Sequence, residues 1–144
     1  MRVKQILSTK GGDVVKVTST DTIRTTLVRL KSHNYGALVV SDDGEHVTGI
    51  ISERDLVRAM VEHGTELPEM TVADLMTRNV TTCGPEDDIE DLMDTMTNGR
   101  FRHMPVLSDD RLVGVVSIGD LVKHRMRELV DETKALREYV TDYR

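Results

Sequence analysis

The chain has 144 residues, 38% apolar and 31% charged, with nineteen Lys and Arg against twenty-five Asp and Glu for a formal charge of −6. That length holds one compact domain or two small repeats sharing a core, and the composition is that of a folded globular protein. The acidic balance, the scattered basic residues and the scarcity of aromatics (one Phe, three Tyr, no Trp) make nucleic acid an unlikely partner. Cys83 is the only cysteine, which excludes an internal disulfide and a cysteine-built zinc site and reads as a small buried apolar group. His33, His46, His63 and His124 lack ligand-like spacing, so no metal is expected. No apolar run approaches the roughly 18 residues of a membrane span, and the first residues lack the apolar stretch of a signal peptide. A cytoplasmic protein is expected.

Residues 3–7 open the chain as a short helical or linker segment stopped by Gly11 and Gly12. Residues 14–17 read as a brief strand, and residues 18–21 are rich in helix-starting types. Ile23, Leu27 and Leu30 share a helical face that stops near Asn34. Residues 37–40 form an apolar strand, residues 41–44 a turn, and residues 47–51 the returning strand. Ser52 then starts a helix whose inner side is expected to carry Leu56, Val57, Met60 and Val61.

Residues 64–70, with Pro68, read as a connector. Beyond it the pattern repeats. Residues 71–76 echo 3–7, residues 80–83 echo 14–17, and Ile89, Leu92, Met93 and Met96 give the next helical face. Residues 104–107 echo 37–40, and residues 112–116 echo the returning strand. The eight methionines fall largely on these apolar faces as core filler. Each half reads strand, helix, strand, strand, helix, too little to bury a sheet alone, so two copies packed sheet to sheet are expected.

One stretch recurs almost intact 65 positions later: Gly-Ile-Ile-Ser-Glu-Arg-Asp-Leu-Val at 49–57 and Gly-Val-Val-Ser-Ile-Gly-Asp-Leu-Val at 114–122. In each, a strand runs into a helix at Ser52 or Ser117, with Asp55 or Asp120 three residues on. A serine and an aspartate so spaced form a capping box that satisfies free N–H groups of the first turn. The same corner also suits an anion, because those N–H groups and the helix dipole favour negative charge. The motif alone leaves both readings open.

With these motifs, and with Phe-Arg-His-Met-Pro-Val at 101–106, the chain resembles a tandem pair of CBS domains, the cystathionine-β-synthase-type module, in its stand-alone form. The resemblance covers Val3 to about Lys123. It implies an α+β fold of two β-α-β-β-α repeats packed sheet to sheet as one pseudo-symmetric module: residues 1–63, a connector at 64–70, residues 71–123, and a C-terminal helical extension at 124–144. It also implies a regulatory module without catalytic activity, binding AMP, ADP, ATP, NAD(H) or S-adenosylmethionine between the repeats and modulating an unidentified protein.

Under that resemblance Asp55 and Asp120 would accept from ribose hydroxyls, charge-assisted bonds worth about 1.5–3 kcal/mol each. Ser52, Arg54, Arg102, His103 and Ser117 would face phosphate. Adenine would lie in a slot made by Gly36 and Ala37 in one half and Met104 and Pro105 in the other, its edge read by Thr18, Thr82, Cys83 and Gly84. The sites need not match, since Tyr35-Gly36 stands where the second half has Arg102-His103. A ligand-free dimeric scaffold and an enzyme acting on an adenosine compound are the alternatives. Against the enzyme, the sequence shows no nucleophile triad and no Walker-type loop.

Past Asp120 no Gly or Pro interrupts the chain. Val122, Met126, Leu129, Thr133, Leu136, Val140 and Tyr143 follow a heptad-like spacing, a seam for the chain's own domain or for a second subunit. The family resemblance favours a homodimer.

Overall fold

The structure, a computed structural model, describes residues 1–142. Helix α1 (Val3–Lys10) ends at Gly11, whose φ of 93° a side chain would disfavour. Strand β1 (Lys16–Val17) leads to α2 (Ile23–His33), whose cap is Thr22, accepting from the Thr25 N–H. Strands β2 (Ala37–Val40) and β3 (Gly49–Ser52) follow, then α3 (Glu53–His63), a 3-10 turn at Gly64–Glu69 and the short α4 (Val72–Leu75). The second half holds α5 (Ile89–Gly99), β4 (His103–Ser108), β5 (Arg111–Ser117) and α6 (Ile118–Asp142).

The first sheet runs β1-β2-β3, with β1 parallel and β3 antiparallel to β2. The second pairs β4 with β5, turning through Asp109 and Asp110, both at positive φ. The expected strand at 80–83 shrinks to one parallel bridge, Cys83 to Val106. Cys83 donates to the Pro105 carbonyl and accepts from Leu107. The next rung of a parallel ladder would need an N–H from Pro105, which proline lacks.

The α+β expectation of two paired repeats holds, but their cores exchange helices. Leu38, Val40, Ile51 and Leu56 of the first repeat enclose Leu67 of the connector and Val72 and Met76 from beyond it. Val3 and Ile6 of α1 are buried instead with Ile89, Met96, Met104, Val116 and Leu121 of the second repeat. Across the join, Ile50 and Thr77 form an antiparallel bridge, and Leu112 donates to the Glu45 carbonyl at 2.7 Å.

The inner face of α3 is narrower than expected. Only Leu56 and Ala59 are buried, whereas Val57, Met60 and Val61 are 67%, 51% and 85% exposed. A four-residue strand accepts one stripe of side chains, and Leu67 of the 3-10 turn fills the space beside it. Helix α6 docks through Leu121 and His124, and every described side chain from Leu129 to Thr141 is exposed. The heptad seam is therefore not what holds α6 to its own domain; its last member, Tyr143, lies outside the described residues. No described helix is long and apolar enough to cross a membrane.

Candidate functional site

Both strand-to-helix corners are capping boxes. Ser52 Oγ accepts from the Asp55 N–H at 3.2 Å, while Asp55 Oδ2 accepts from the Ser52 N–H at 2.9 Å and from its hydroxyl at 3.0 Å. Ser117 Oγ accepts from the Asp120 N–H at 3.1 Å, and Asp120 Oδ2 from the Ser117 N–H at 2.9 Å. The cap occupies Oδ2 in each case, which leaves Oδ1 as the oxygen to meet a ligand.

The sheets bring these corners to a common end. Ser52 pairs with Ala37, and Ser117 pairs with His103. The Glu53 N–H donates to the Gly36 carbonyl at 3.0 Å, and the Ile118 N–H to the Arg102 carbonyl at 2.8 Å. Gly36 meets the imidazole of the other repeat so closely that a Cβ there would lie 3.1 Å from His103 Cε1. A side chain at that position would require the ring to give way by a few tenths of an ångström.

This register shifts part of the expected adenine slot. Ala37 corresponds to His103, one residue before Met104, and Gly36 corresponds to Arg102. The pairs from His103–Ser117 to Val106–Gly114 run in unbroken register, and the irregularity where β5 passes Val113 lies beyond them, between Val106 and Leu107. Met104 and Pro105 are buried in the second sheet, one and two residues beyond the position that matches Ala37.

The residues expected to read the base edge lie towards the other end of the strands. Thr18 follows Val17, whose carbonyl accepts from Ser41, and Ser41 stands five residues along the chain from Gly36, about 16 Å of extended strand. The backbone donors there are already used: Thr18 by Asp21 at 2.8 Å, Gly84 by Asp87 at 2.7 Å and Cys83 by Pro105 at 3.0 Å. Thr82, Cys83 and Met104 line a separate open cleft of about 230 Å³ with Asp87 and Asp91. Burial, together with the charge of Asp87, pushes the Cys83 thiol up to about 12, which keeps it inert near neutral pH.

Sequence reasoning missed Lys10. From the last turn of α1 its ammonium reaches Asp120 Oδ2 at 2.7 Å and the Val115 carbonyl at 2.9 Å. The signal was a basic residue directly ahead of Gly11 and Gly12, a pair that lets the chain turn back so tightly that a Cβ on Gly12 would lie 3.1 Å from the Val113 carbonyl. Burial alone would raise the Asp120 carboxyl, but the hydrogen bond from Lys10 and the amide of Ser117 outweigh it and hold it below the usual range. His103 is lowered, first by burial and then by the charge of Lys10, against the opposing pull of Asp120 and Glu53. It is a neutral imidazole at pH 7 and offers a hydrogen bond rather than a charge.

Positive charge gathers beside the other corner. Arg54, in the first turn of α3, donates to the Arg100 carbonyl at 3.3 Å, and Arg54, Arg100 and Arg102 line an open cleft of about 350 Å³ with Phe101 and Ile118. Arg100 was not anticipated; it closes α5 in the left-handed conformation, at φ 58°. Neither of these two clefts is lined by Asp55 or Asp120. The structure thus brings Gly36, Ala37, Ser52, His103 and Ser117 together, places Arg54 and Arg102 in a neighbouring cleft, and sets Thr18, Thr82, Cys83 and Gly84 apart. Among the described residues no group of His, Cys, Asp and Glu could hold a metal.

The chain is 34% identical over 146 residues to the mitochondrial CBS domain-containing protein CBSX3 of Arabidopsis thaliana, covering 96% of this chain and 71% of that one. The crystal structure of the CBS-domain containing protein ATU1752 from Agrobacterium tumefaciens superposes with a TM-score of 0.84 at 44% identity, over 87% of this chain and 99% of that one. The CBS domain pair of MJ0100, solved in complex with 5′-methylthioadenosine and S-adenosyl-L-methionine, superposes with a TM-score of 0.76 at 26% identity, over 85% and 98% of the two chains. The sequence profile of the CBS domain matches twice, at residues 3–62 and 72–127, one match for each repeat, and the chain belongs to the CBS-domain family.

Proposed function

We propose that this chain is a non-catalytic regulatory module that binds an adenosine-containing ligand between its two repeats and acts on a partner protein through the change in their packing. The observation that carries this reading is the pair of Ser-x-x-Asp corners delivered to one end of the sheets and joined through Gly36 and His103. The adenosine compounds bound by MJ0100 support the ligand class. The corners differ: among the described residues Lys10 engages Asp120, whereas Asp55 meets only its own cap, next to the arginine cleft. The ribose therefore goes to Asp55 Oδ1, with Gly36, Ala37 and His103 beside it. A phosphate goes towards Arg54 and Arg102, which favours AMP, ADP, ATP or NAD(H) over an uncharged nucleoside. Asp120 and Ser117 become a second site only when Lys10 moves away. Differential affinity of the ligand for two packings of the repeats sets how far it can shift them. The module works as a homodimer.

Calorimetric titration with AMP, ATP, NADH and S-adenosylmethionine tests the reading, and binding to at least one of them is expected. Asp55→Ala should weaken it about tenfold, the loss expected for a charge-assisted bond. Silence with all four compounds, in heat and in thermal shift, would leave a ligand-free scaffold in which the two aspartates do nothing but cap their helices.

A further inference from the structure

Helix α6 is 25 residues long, about 37 Å, and its docking residues occupy only its first three turns. On a helical projection Leu121, His124, Arg125 and Glu128 centre on one direction, and Val122, Met126, Leu129, Thr133, Leu136 and Val140 centre about 100° away from it. The apolar members of this second stripe are 39% to 63% exposed, and Val130 beside it is 64% exposed. From Leu129 to Thr141 the helix touches too little of its own domain to bury any side chain. An isolated helical segment of that length is marginal in water. A mate for the stripe accounts for its continuation past the docked turns.

We infer that the exposed stripe of α6 zips against the same helix of a second copy, parallel and in register. The heptad places Leu129 and Leu136 at d positions, and Met126, Thr133 and Val140 at a positions. Glu132 then falls at g and Arg137 at e, one on each side of the stripe. In a parallel pair Glu132 of one copy faces Arg137 of the other, and the two-fold axis makes the contact twice. The antiparallel register that would bury the whole described stripe pairs Leu129 with Thr133, Met126 with Leu136 and Val122 with Val140. It sets Glu132 against Glu132 and Lys123 against Arg137, like charge on like charge. The charge pattern therefore selects orientation as well as partner, and Thr133 facing Thr133 fixes the register.

The homodimer in this proposal is the one proposed above, whereas orientation and seam are read from α6 alone. The test uses the full chain without nucleotide, so its failure is separate from failure of ligand binding. In Leu136→Cys, mild oxidation should give a disulfide-linked dimer, because a parallel in-register pair brings equivalent d positions together. The native Cys83 is buried and stays out of the reaction. Sedimentation equilibrium should show Glu132→Arg and Arg137→Glu each loosening the dimer by about tenfold, with the two together restoring it. A monomeric wild type would overturn the inference and leave the stripe to another protein's helix. So would a dimer in which Leu136→Cys does not cross-link, or one that the two charge reversals leave equally tight.

Discussion

The contact between Lys10 and Asp120 ties the C-terminal end of α1 to the first turn of α6 at the proposed second site. It also sets the titration of its neighbours. Lys10→Met removes a hydrogen bond and a charge from Asp120 and a repelling charge from His103, so both groups should titrate at higher pH. For Asp120, held below its unfolded value of about 3.9, the stabilisation is present above that value and is lost as pH falls through the folded pKa. Without Lys10 the acid unfolding limb moves to higher pH. His103, lowered from about 6.5, takes up its proton more readily in the unfolded chain, so stability falls as pH drops from 6.5 towards the folded pKa. Both groups are partly open to water, so Lys10→Met should cost no more than about 1 kcal/mol at pH 7. Proton NMR of the His103 ring in the wild type and in Lys10→Met reads the effect directly. An unmoved ring titration would show that the lysine does not govern this end of the module.

At the level of elements, glycines measure how closely the repeats approach. A Cβ on Gly49, in the first signature, would sit 2.8 Å from the Thr77 carbonyl, the group that accepts from Ile50 across the join. A backbone atom in that bridge cannot step aside. On Gly114, the matching residue, a Cβ would meet the Leu7 side chain at 2.5 Å, and a leucine tip can rotate. On Gly119, in the first turn of α6, the nearest atom is 3.6 Å away. The expected order of cost in urea denaturation is therefore Gly49→Ala, about 1–3 kcal/mol, then Gly114→Ala, with Gly119→Ala neutral or stabilising by up to about 1 kcal/mol. Equal midpoints for the first and last variants would mean that the join is looser than described. The parts of the fold legible in the sequence are those set locally. Ser52 and Asp55 announce the start of α3, and Ala-Leu-Val-Val announces β2 in full. What the sequence hid depends on distant partners. Pro105 removes a rung from a ladder whose other side lies about twenty residues upstream, and Ala37 matches His103 rather than Met104 because each pairs with the serine of its own returning strand, Ser52 or Ser117. The outward turn of Val57, Met60 and Val61 likewise follows from the small area β2 and β3 offer, which helical periodicity does not encode.

For the whole molecule the decisive feature is the exchange of helices. The echo between residues 3–7 and 71–76 was visible as a repeat, but which core each segment entered was not, because the pattern of apolar residues is the same for either. Ile6 is fully buried among residues of the second repeat, although its chain neighbours lead into β1 of the first. Val72 does the converse. Each core is thus sealed by a segment covalently tied to the other, and opening either pulls on both. A module built this way should unfold as one unit, and a ligand spanning the repeats would then stabilise all of it together, by about 2.7 kcal/mol at a hundredfold excess over its dissociation constant. Ile6→Ala tests the coupling without any ligand. The cavity should cost about 2–5 kcal/mol, and hydrogen exchange should report the loss at Val39 in the first sheet as well as at Met104 in the second. Protection lost at Met104 alone would mean that the repeats open independently, and a ligand held at one corner would then have no route through the exchanged helices to the other.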